Sequence, residues 1–499
     1  MVESLQYLMG GFATALQPAN LLFAFIGCTL GTLIGVLPGV GPAAGTAILI
    51  PVTVVLDPTG AIIMLAAIYY GAMYGGTITS VLLNVPGEAA SVVTCMDGYQ
   101  MAKQGRAGPA LAVAAIGSFI GGTVATMGLV LLALPLTRFA LKFGPPEFFG
   151  LMVVGLSLVT GLAGKSLVRA LMSAVLGLLI AQIGIDPVMG APRFSFGRTE
   201  LLDGFGIVPV VMGLFGIAEI FLNVEMKAMQ VFETSMRSLI PTLRDMKDSA
   251  WPVVRGTFLG FFLGLIPGLG SVVPTFLSYS IEKRLSRTPE RFGKGAIEGV
   301  AAPETANNAY ANAALIPLFT LGIPGSPVTA ILMGALMMNG LIPGPTLFAE
   351  HAQFAWAVIA SLYIGNVILV ILNLPFIPVW VAVLKIPYGI LMTLILVFCV
   401  IGVYSLSSSV FDIGVMLAFG LVGYAFKKLD IPTAPLVLTL ILGPLMERGL
   451  RQSLEMSRGH FSILFTRPIS ATLLAIAAIL IVTSTFRAVA AVRGADSQV

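Results

Sequence analysis

Long apolar runs separated by short polar stretches set the pattern of this chain. Residues 4 to 56, 107 to 137, 305 to 349 and 352 to 384 contain no Asp, Glu, Lys or Arg, and each run exceeds the ~20 residues with which a helix crosses a bilayer. The alternation that a membrane barrel needs is absent from them, so they are expected to cross as helices. Hydrophobic elements are predicted near 20 to 37, 60 to 84, 109 to 136, 146 to 164, 166 to 186 and 206 to 224 in the first half. In the second half they are predicted near 252 to 267, 305 to 322, 327 to 341, 352 to 374, 388 to 405, 409 to 426, 432 to 446 and 468 to 486. Several are short or rich in Gly and Pro, so the pattern allows roughly 10 to 14 crossings. The expected fold class is an all-α polytopic membrane protein.

Composition sharpens the exclusion. Only 27 Lys and Arg and 23 Asp and Glu occur among 499 residues, 57% of which are hydrophobic, too few polar groups to cover a water-soluble fold of this size. A soluble enzyme is ruled out. The net charge of +4 is small and scattered, so no nucleic-acid partner is expected. Cys28, Cys95 and Cys399 lie far apart without metal-ligand spacing and read as packing residues, and no metal site or cofactor is expected. The start, MVESLQYLMGG, lacks the basic region of a cleaved signal, so the first apolar segment is expected to stay in the mature chain. His351 and His460 border apolar segments without partners in sequence, and Trp251, Trp356 and Trp380 fit interface anchors.

The longest polar stretch, 225 to 255, mixes Lys227, Arg237, Arg244, Lys247 and Arg255 with Glu225, Glu233, Asp245 and Asp248. It reads as a connector between a first transmembrane unit at 1 to 224 and a second at 256 to 499. Loops rich in Lys and Arg stay cytoplasmic. That places the connector and the basic run from Lys283 to Lys294 inside and the N-terminus outside.

The two halves share landmarks. GTLIGVLPGVG at 31 to 41 and GFFLGLIPGLG at 260 to 270 align Gly31, Gly35, Pro38, Gly39 and Gly41 with Gly260, Gly264, Pro267, Gly268 and Gly270. LLNVPGEAASVV at 82 to 93 and TLGIPGSPVTAI at 320 to 331 align Pro86-Gly87 with Pro324-Gly325. QGRAGPAL at 104 to 111 resembles NGLIPGPTLF at 339 to 348. Landmarks in the same order indicate an ancient duplication, expected as two inverted-topology repeats with broken, Pro-Gly hairpin helices. Proline removes a backbone donor and glycine opens the helix, so each break leaves backbone groups that protein, ion or solute must satisfy. One such break is ordinarily a kink. Paired breaks point to a transporter site, with half-helix N-termini facing an anion and freed carbonyls facing a cation.

Polar side chains cluster beside these breaks. A solute anion is expected at the tips formed by Asn84, Pro86, Gly87 and Glu88 and by Gly322, Pro324, Gly325 and Ser326. Thr77, Thr79, Ser80, Asn307, Asn308 and Asn312 lie on the preceding segments, and their oxygens suit a coupled cation, although interhelical hydrogen bonding is an equal reading. Glu88 is read as a cap for a half-helix, and Glu298 and Glu304 as interfacial groups near a polar loop, with a proton relay the weaker alternative.

The stretches NVPGEAASVVTCMDGYQMAKQGRAGPALAVAAIGSFIGG and NNAYANAALIPLFTLGIPGSPVTAILMGALMMNGLIPGP, together with LPGVGPAAG, resemble the large membrane subunit of the tripartite tricarboxylate transporters, the TctA family. The resemblance runs over nearly the whole chain. It implies a secondary active transporter of the bacterial inner membrane that takes up citrate or related di- and tricarboxylates with sodium or protons. It further implies two partners, a small membrane subunit of about four helices and a periplasmic solute-binding protein. A stand-alone organic-anion carrier and a passive channel are the alternatives. No HExxH, GxGD or GxSxG motif is present for intramembrane enzymology.

Overall fold

A backbone N–H or C=O in hydrocarbon finds no water, and a helix satisfies all of these groups except those at its ends. The uncharged runs fold accordingly. The structure is a computed structural model that describes residues 2–37, 40–157, 166–186, 189–223, 241–383 and 388–496. The first half contains α1 (Val2–Ala15), α2 (Pro18–Val36), α3 (Gly41–Thr53), α4 (Pro58–Leu83), α5 (Val92–Lys103), α6 (Ala107–Ala140), α7 (Pro145–Ser157), α8 (Leu167–Ile180), α9 (Ile207–Val211) and α10 (Ala218–Asn223). The second contains α11 (Leu243–Gly264), α12 (Val272–Leu285), α13 (Glu298–Ala313), α14 (Leu315–Leu321), α15 (Pro327–Met338), α16 (Pro345–Glu350) and α17 (Ala352–Asn373). It continues through α18 (Ile377–Val383), α19 (Tyr388–Ser407), α20 (Val410–Lys428), α21 (Ala434–Met456), α22 (Ile463–Thr466) and α23 (Pro468–Asp496). Apart from these helices the described residues hold one pair of two-residue antiparallel strands, β1 (Gly184–Ile185) and β2 (Pro192–Arg193).

Six of the described helices are long and apolar enough to cross a bilayer, namely α2, α4, α6, α17, α20 and the Pro468–Phe486 part of α23. The chain is an all-α polytopic membrane protein. Where the apolar pattern called for one element at 206 to 224, the chain forms α9, a π turn (Met212–Ile217) and α10. Of the connector at 225 to 255, residues up to 240 lie outside the described residues, and Leu243 onward already belongs to α11. Thr242 starts that helix by capping it, its hydroxyl accepting from Asp245 N–H at 3.1 Å.

Two helices sit at the centre. The apolar span of α4 is wholly buried, and so is every residue of α13 from Gly299 to Ala313. Each is gripped by a neighbour through a stripe of small residues. A Cβ on Gly31 of α2 would lie 2.5 Å from the Ile68 carbonyl oxygen of α4, and one on Gly256 of α11 would lie 2.6 Å from the Ala302 carbonyl oxygen of α13. Close backbone approach of this kind replaces the hydrophobic drive that lipid withholds. Gly27, Gly31 and Gly35 on α2 have their counterparts in Gly256, Gly260 and Gly264 on α11.

Candidate functional site

Four helix interruptions build the site. The first separates α2 from α3; Pro38 and Gly39 fall outside the described residues, and Gly41 opens α3 at φ +65°. The second lies between α4 and α5. Asn84 ends α4 in the left-handed region at φ 58°, and the chain is extended by Glu88 before a short 3-10 turn (Ala89–Ser91) leads into α5. The third, between α11 and α12, carries Gly268 and Gly270 at φ +86° and +69°. The fourth repeats the second: Gly322 ends α14 at φ +70°, and Ser326 is extended before α15. Both tips are closed by reciprocal caps. Glu88 N–H donates to Ser91 Oγ at 3.3 Å, while Ser326 N–H donates to Thr329 Oγ1 at 2.8 Å and Thr329 N–H to Ser326 Oγ at 3.2 Å.

Within each half the two interruptions touch. A Cβ on Gly87 would overlap the Gly35 carbonyl oxygen and lie 2.6 Å from Gly76 Cα. In the second half Gly268 N–H donates to the Gly325 carbonyl at 3.0 Å, and the Tyr310 hydroxyl reaches the same oxygen at 3.3 Å. The order of contacts along α13 and α14 sets the direction of the half-helices. Asp97 of α5 accepts from Ala296 N–H just ahead of α13, Thr94 meets Glu304, and Glu88 meets Asn307. Gly325 follows at Tyr310, and Gly344 beyond α15 donates to the Phe319 carbonyl of α14 at 3.2 Å. From a shared level near the middle of α13, α5 therefore runs one way and α15 the other.

A cavity of about 510 Å³ lies where the tips converge. Gly41 to Ala44, Pro86 to Ala89, Gly270 to Val272 and Ser326 to Val328 line it. These segments are the beginnings of α3, of the turn into α5, of α12 and of α15. Helix starts leave N–H groups without intrahelical partners and carry about half a positive charge each. Tyr69 from α4 completes the wall. Its hydroxyl is buried next to Ser326, with no partner in full hydrogen-bonding geometry.

Residues 21–438 match the tripartite tricarboxylate transporter TctA family. The chain belongs to that family. It is 47% identical over 477 residues, 95% of either chain, to an uncharacterised 52.8 kDa protein of the TAR-I ttuC' 3' region of Agrobacterium vitis. A protein of the TAR-II ttuC' 3' region of the same organism is 46% identical over 223 residues, which is 45% of this chain and 92% of that one. No solved structure matches the chain.

This TctA-family chain keeps a second, drier polar cluster behind the cavity. Asn307 Nδ2 donates to Glu88 Oε1 at 2.5 Å and ties α13 to the first-half tip. Glu304, which the sequence assigned to an interface, is instead 1% exposed. Its two carboxylate oxygens accept from Thr77 at 2.5 Å and from Thr94. Thr79 and Ser80 spend their hydroxyls on the Gly76 carbonyl at 3.2 and 2.9 Å. Asn308 donates to Ser118 Oγ at 2.7 Å and Asn312 to the Asn308 carbonyl at 3.0 Å, leaving the side-chain oxygens of Asn307 and Asn308 without partners. A void of about 10 Å³, the room of a single water, is bounded by Tyr74, Thr77, Ser118 and Asn373 among others.

The predicted solute residues divide. Pro86, Gly87, Glu88 and Ser326 line the cavity, with Gly325 held next to it by Tyr310. Asn84 and Gly322 are left-handed helix ends outside the lining, and Gly322 borders a separate apolar cavity of about 480 Å³ between α7, α15 and α21; Pro324 lines neither. Sequence reasoning missed Tyr69, Tyr310, Glu219 and Lys427 as lining residues. The two tyrosines stand on the same segments as the hydroxyls and amides already singled out, Tyr69 ahead of Thr77 and Tyr310 between Asn308 and Asn312. The lysine stood in a mixed-charge loop end with no motif, and nothing local connects it to a glutamate 208 residues away.

Proposed function

We propose that this chain is the large membrane subunit of a tripartite secondary transporter of the bacterial inner membrane. It moves a small di- or tricarboxylate, such as citrate, through the cavity between the four helix starts. The observation that carries this reading is the convergence of those four helix starts, with the positive ends of their dipoles, around a cavity that also receives the buried Tyr69 hydroxyl. A carboxylate finds directed donors there without any Lys or Arg at the tips. The opposite directions of α5 and α15 support two repeats of inverted topology, with the tips meeting near the bilayer midplane.

A coupled cation, sodium or a proton, offsets the solute charge in this reading. Its place is the cluster around Thr77, Asn307 and Asn308, where the buried amide oxygens of the two asparagines lack donors and Thr77 borders a void of one-water size. A periplasmic binding protein delivers the solute, and a small membrane subunit completes the carrier. The test is uptake of labelled citrate, malate or succinate into proteoliposomes holding this chain and its small subunit, with imposed sodium or pH gradients. Accumulation against the gradient that requires the binding protein outside supports the reading. Full uptake without the binding protein indicates a stand-alone carrier, and equilibration without accumulation indicates a passive channel.

A further inference from the structure

One ion pair faces the cavity. Lys427, in the last turn of α20, and Glu219, on α10, both line it, and Lys427 Nζ donates to Glu219 Oε1. Lys427 is the sole basic residue of that lining among the described residues, against the two carboxyl groups of Glu88 and Glu219. The lysine side chain is 31% exposed and the glutamate 17%, so the ammonium is the more open member of the pair. Its neighbour Lys428 turns to the Tyr424 ring instead.

The backbone places Glu219 with some care. The π turn Met212–Ile217 just before α10 inserts one residue, which rotates everything downstream by about 100° relative to a continuous α-helix. The same turn contributes Phe215 to the cavity wall. Without that insertion Glu219 would present to a different neighbour. Wide turns of this kind weaken a helix and persist where a side chain must be re-aimed.

We propose that Lys427 is the full positive charge that contacts a carboxylate of the solute, and that Glu219 holds the lysine at the wall while the cavity is empty. The inference rests on the carboxylate reading given above. An ammonium has three donors and one is engaged with Glu219, so two remain for the solute. Its four-carbon stem lets it move toward the tips without moving α20. The neutral pair attracts an anion weakly. Glu219 therefore opposes solute binding even as it positions the lysine.

A pair that only fastens α10 to α20 and a pair that serves the solute predict different signs. Equilibrium binding of labelled citrate, malate and succinate, each as a separate probe, would be measured on the full chain co-purified with its small subunit. Lys427→Met should weaken binding about tenfold or more, and Glu219→Gln should tighten it, because the competing charge is gone. Lys427→Arg should restore most of the affinity. Unchanged affinity in Lys427→Met, or weakening by Glu219→Gln of the same size as by Lys427→Met, overturns the inference. If Lys427→Met does not insert, the sign of the isosteric Glu219→Gln effect decides. Failure of the wild type to bind any of the three probes overturns the carboxylate reading and this inference together.

Discussion

Gly87 and Gly325 follow prolines at matching positions, yet their surroundings differ. Any Cβ on Gly87 collides with backbone of α2 and α4, whereas one on Gly325 meets nothing closer than Pro267 Cα at 3.4 Å. Gly87→Ala is therefore expected to destabilise the protein by about 1–3 kcal/mol, the usual cost of overpacking, and Gly325→Ala to leave the fold intact. Thermal unfolding of the two purified variants checks the contrast. Tyr69→Phe removes a buried hydroxyl that has no partner in full hydrogen-bonding geometry. Its stability should be unchanged while solute affinity falls by about 1.5–3 kcal/mol, the range of a hydrogen bond to a charged group. An unchanged affinity would take Tyr69 out of the site. The exclusion at Gly87 was legible in the sequence as a Pro-Gly break; its cause was not, since Gly35 and Gly76 are its neighbours only in three dimensions.

At the scale of elements, the start of α15 both caps its own helix and borders the cavity. Ser326 Oγ caps the Thr329 N–H at 3.2 Å and also lines the cavity. Ser326→Ala should cost about 0.5–2 kcal/mol through the lost cap. Ser326→Asp keeps a good capping oxygen but adds a negative charge where an anion is expected. Its stability should stay near wild type while carboxylate binding is lost, as unfolding and binding assays on one preparation would report. If the aspartate variant binds normally, the helix start does not face the solute. The predicted element at 305 to 322 began too late, because Glu298 and Glu304 made the preceding residues read as polar. In the structure α13 starts at Glu298 and is buried, since Thr77 and Thr94, more than 200 residues away, satisfy the Glu304 carboxylate.

Across the whole molecule, the two halves are tied at the polar end of α6 and α11 by Arg106 and Asp245. Burial pushes the Asp245 carboxyl up, but hydrogen bonds from Thr242 and the Arg106 guanidinium more than offset this and hold it below its usual range. A depressed carboxyl contributes stability that is fully present above its unfolded value, about 3.9 for Asp, and is lost as pH falls through the folded value. Unfolding temperatures should thus fall on the acid side below about pH 4, and the fall should be smaller in Asp245→Asn, which lacks this contribution. The orientation is testable on the same scale. In a background without Cys28, Cys95 and Cys399, a cysteine at the exposed Arg287 should resist an impermeant thiol reagent in intact cells. One at the exposed Gln353, beside Thr14 near the N-terminus, should react from outside. The opposite pattern reverses the topology drawn from the basic loops.

The sequence by itself determined that the chain crosses as helices and where the Pro-Gly interruptions fall, though not the π turn at Met212–Ile217 or the start of α13. Hydrocarbon forces the backbone to bond within a few residues of itself, so apolar length, proline and glycine act locally and are visible in order along the chain. Asn84 and Gly322, Glu88 and Ser326, and Ser91 and Thr329 could be paired across the halves for the same reason, since caps and left-handed ends are set by immediate neighbours. Only the tertiary structure decided that four helix starts surround one cavity, that Glu304 is sealed by α4 and α5, and that Lys427 meets Glu219. Those facts depend on which faces of distant helices pack together, and packing in lipid is chosen by small-residue stripes and polar partners that no local window contains.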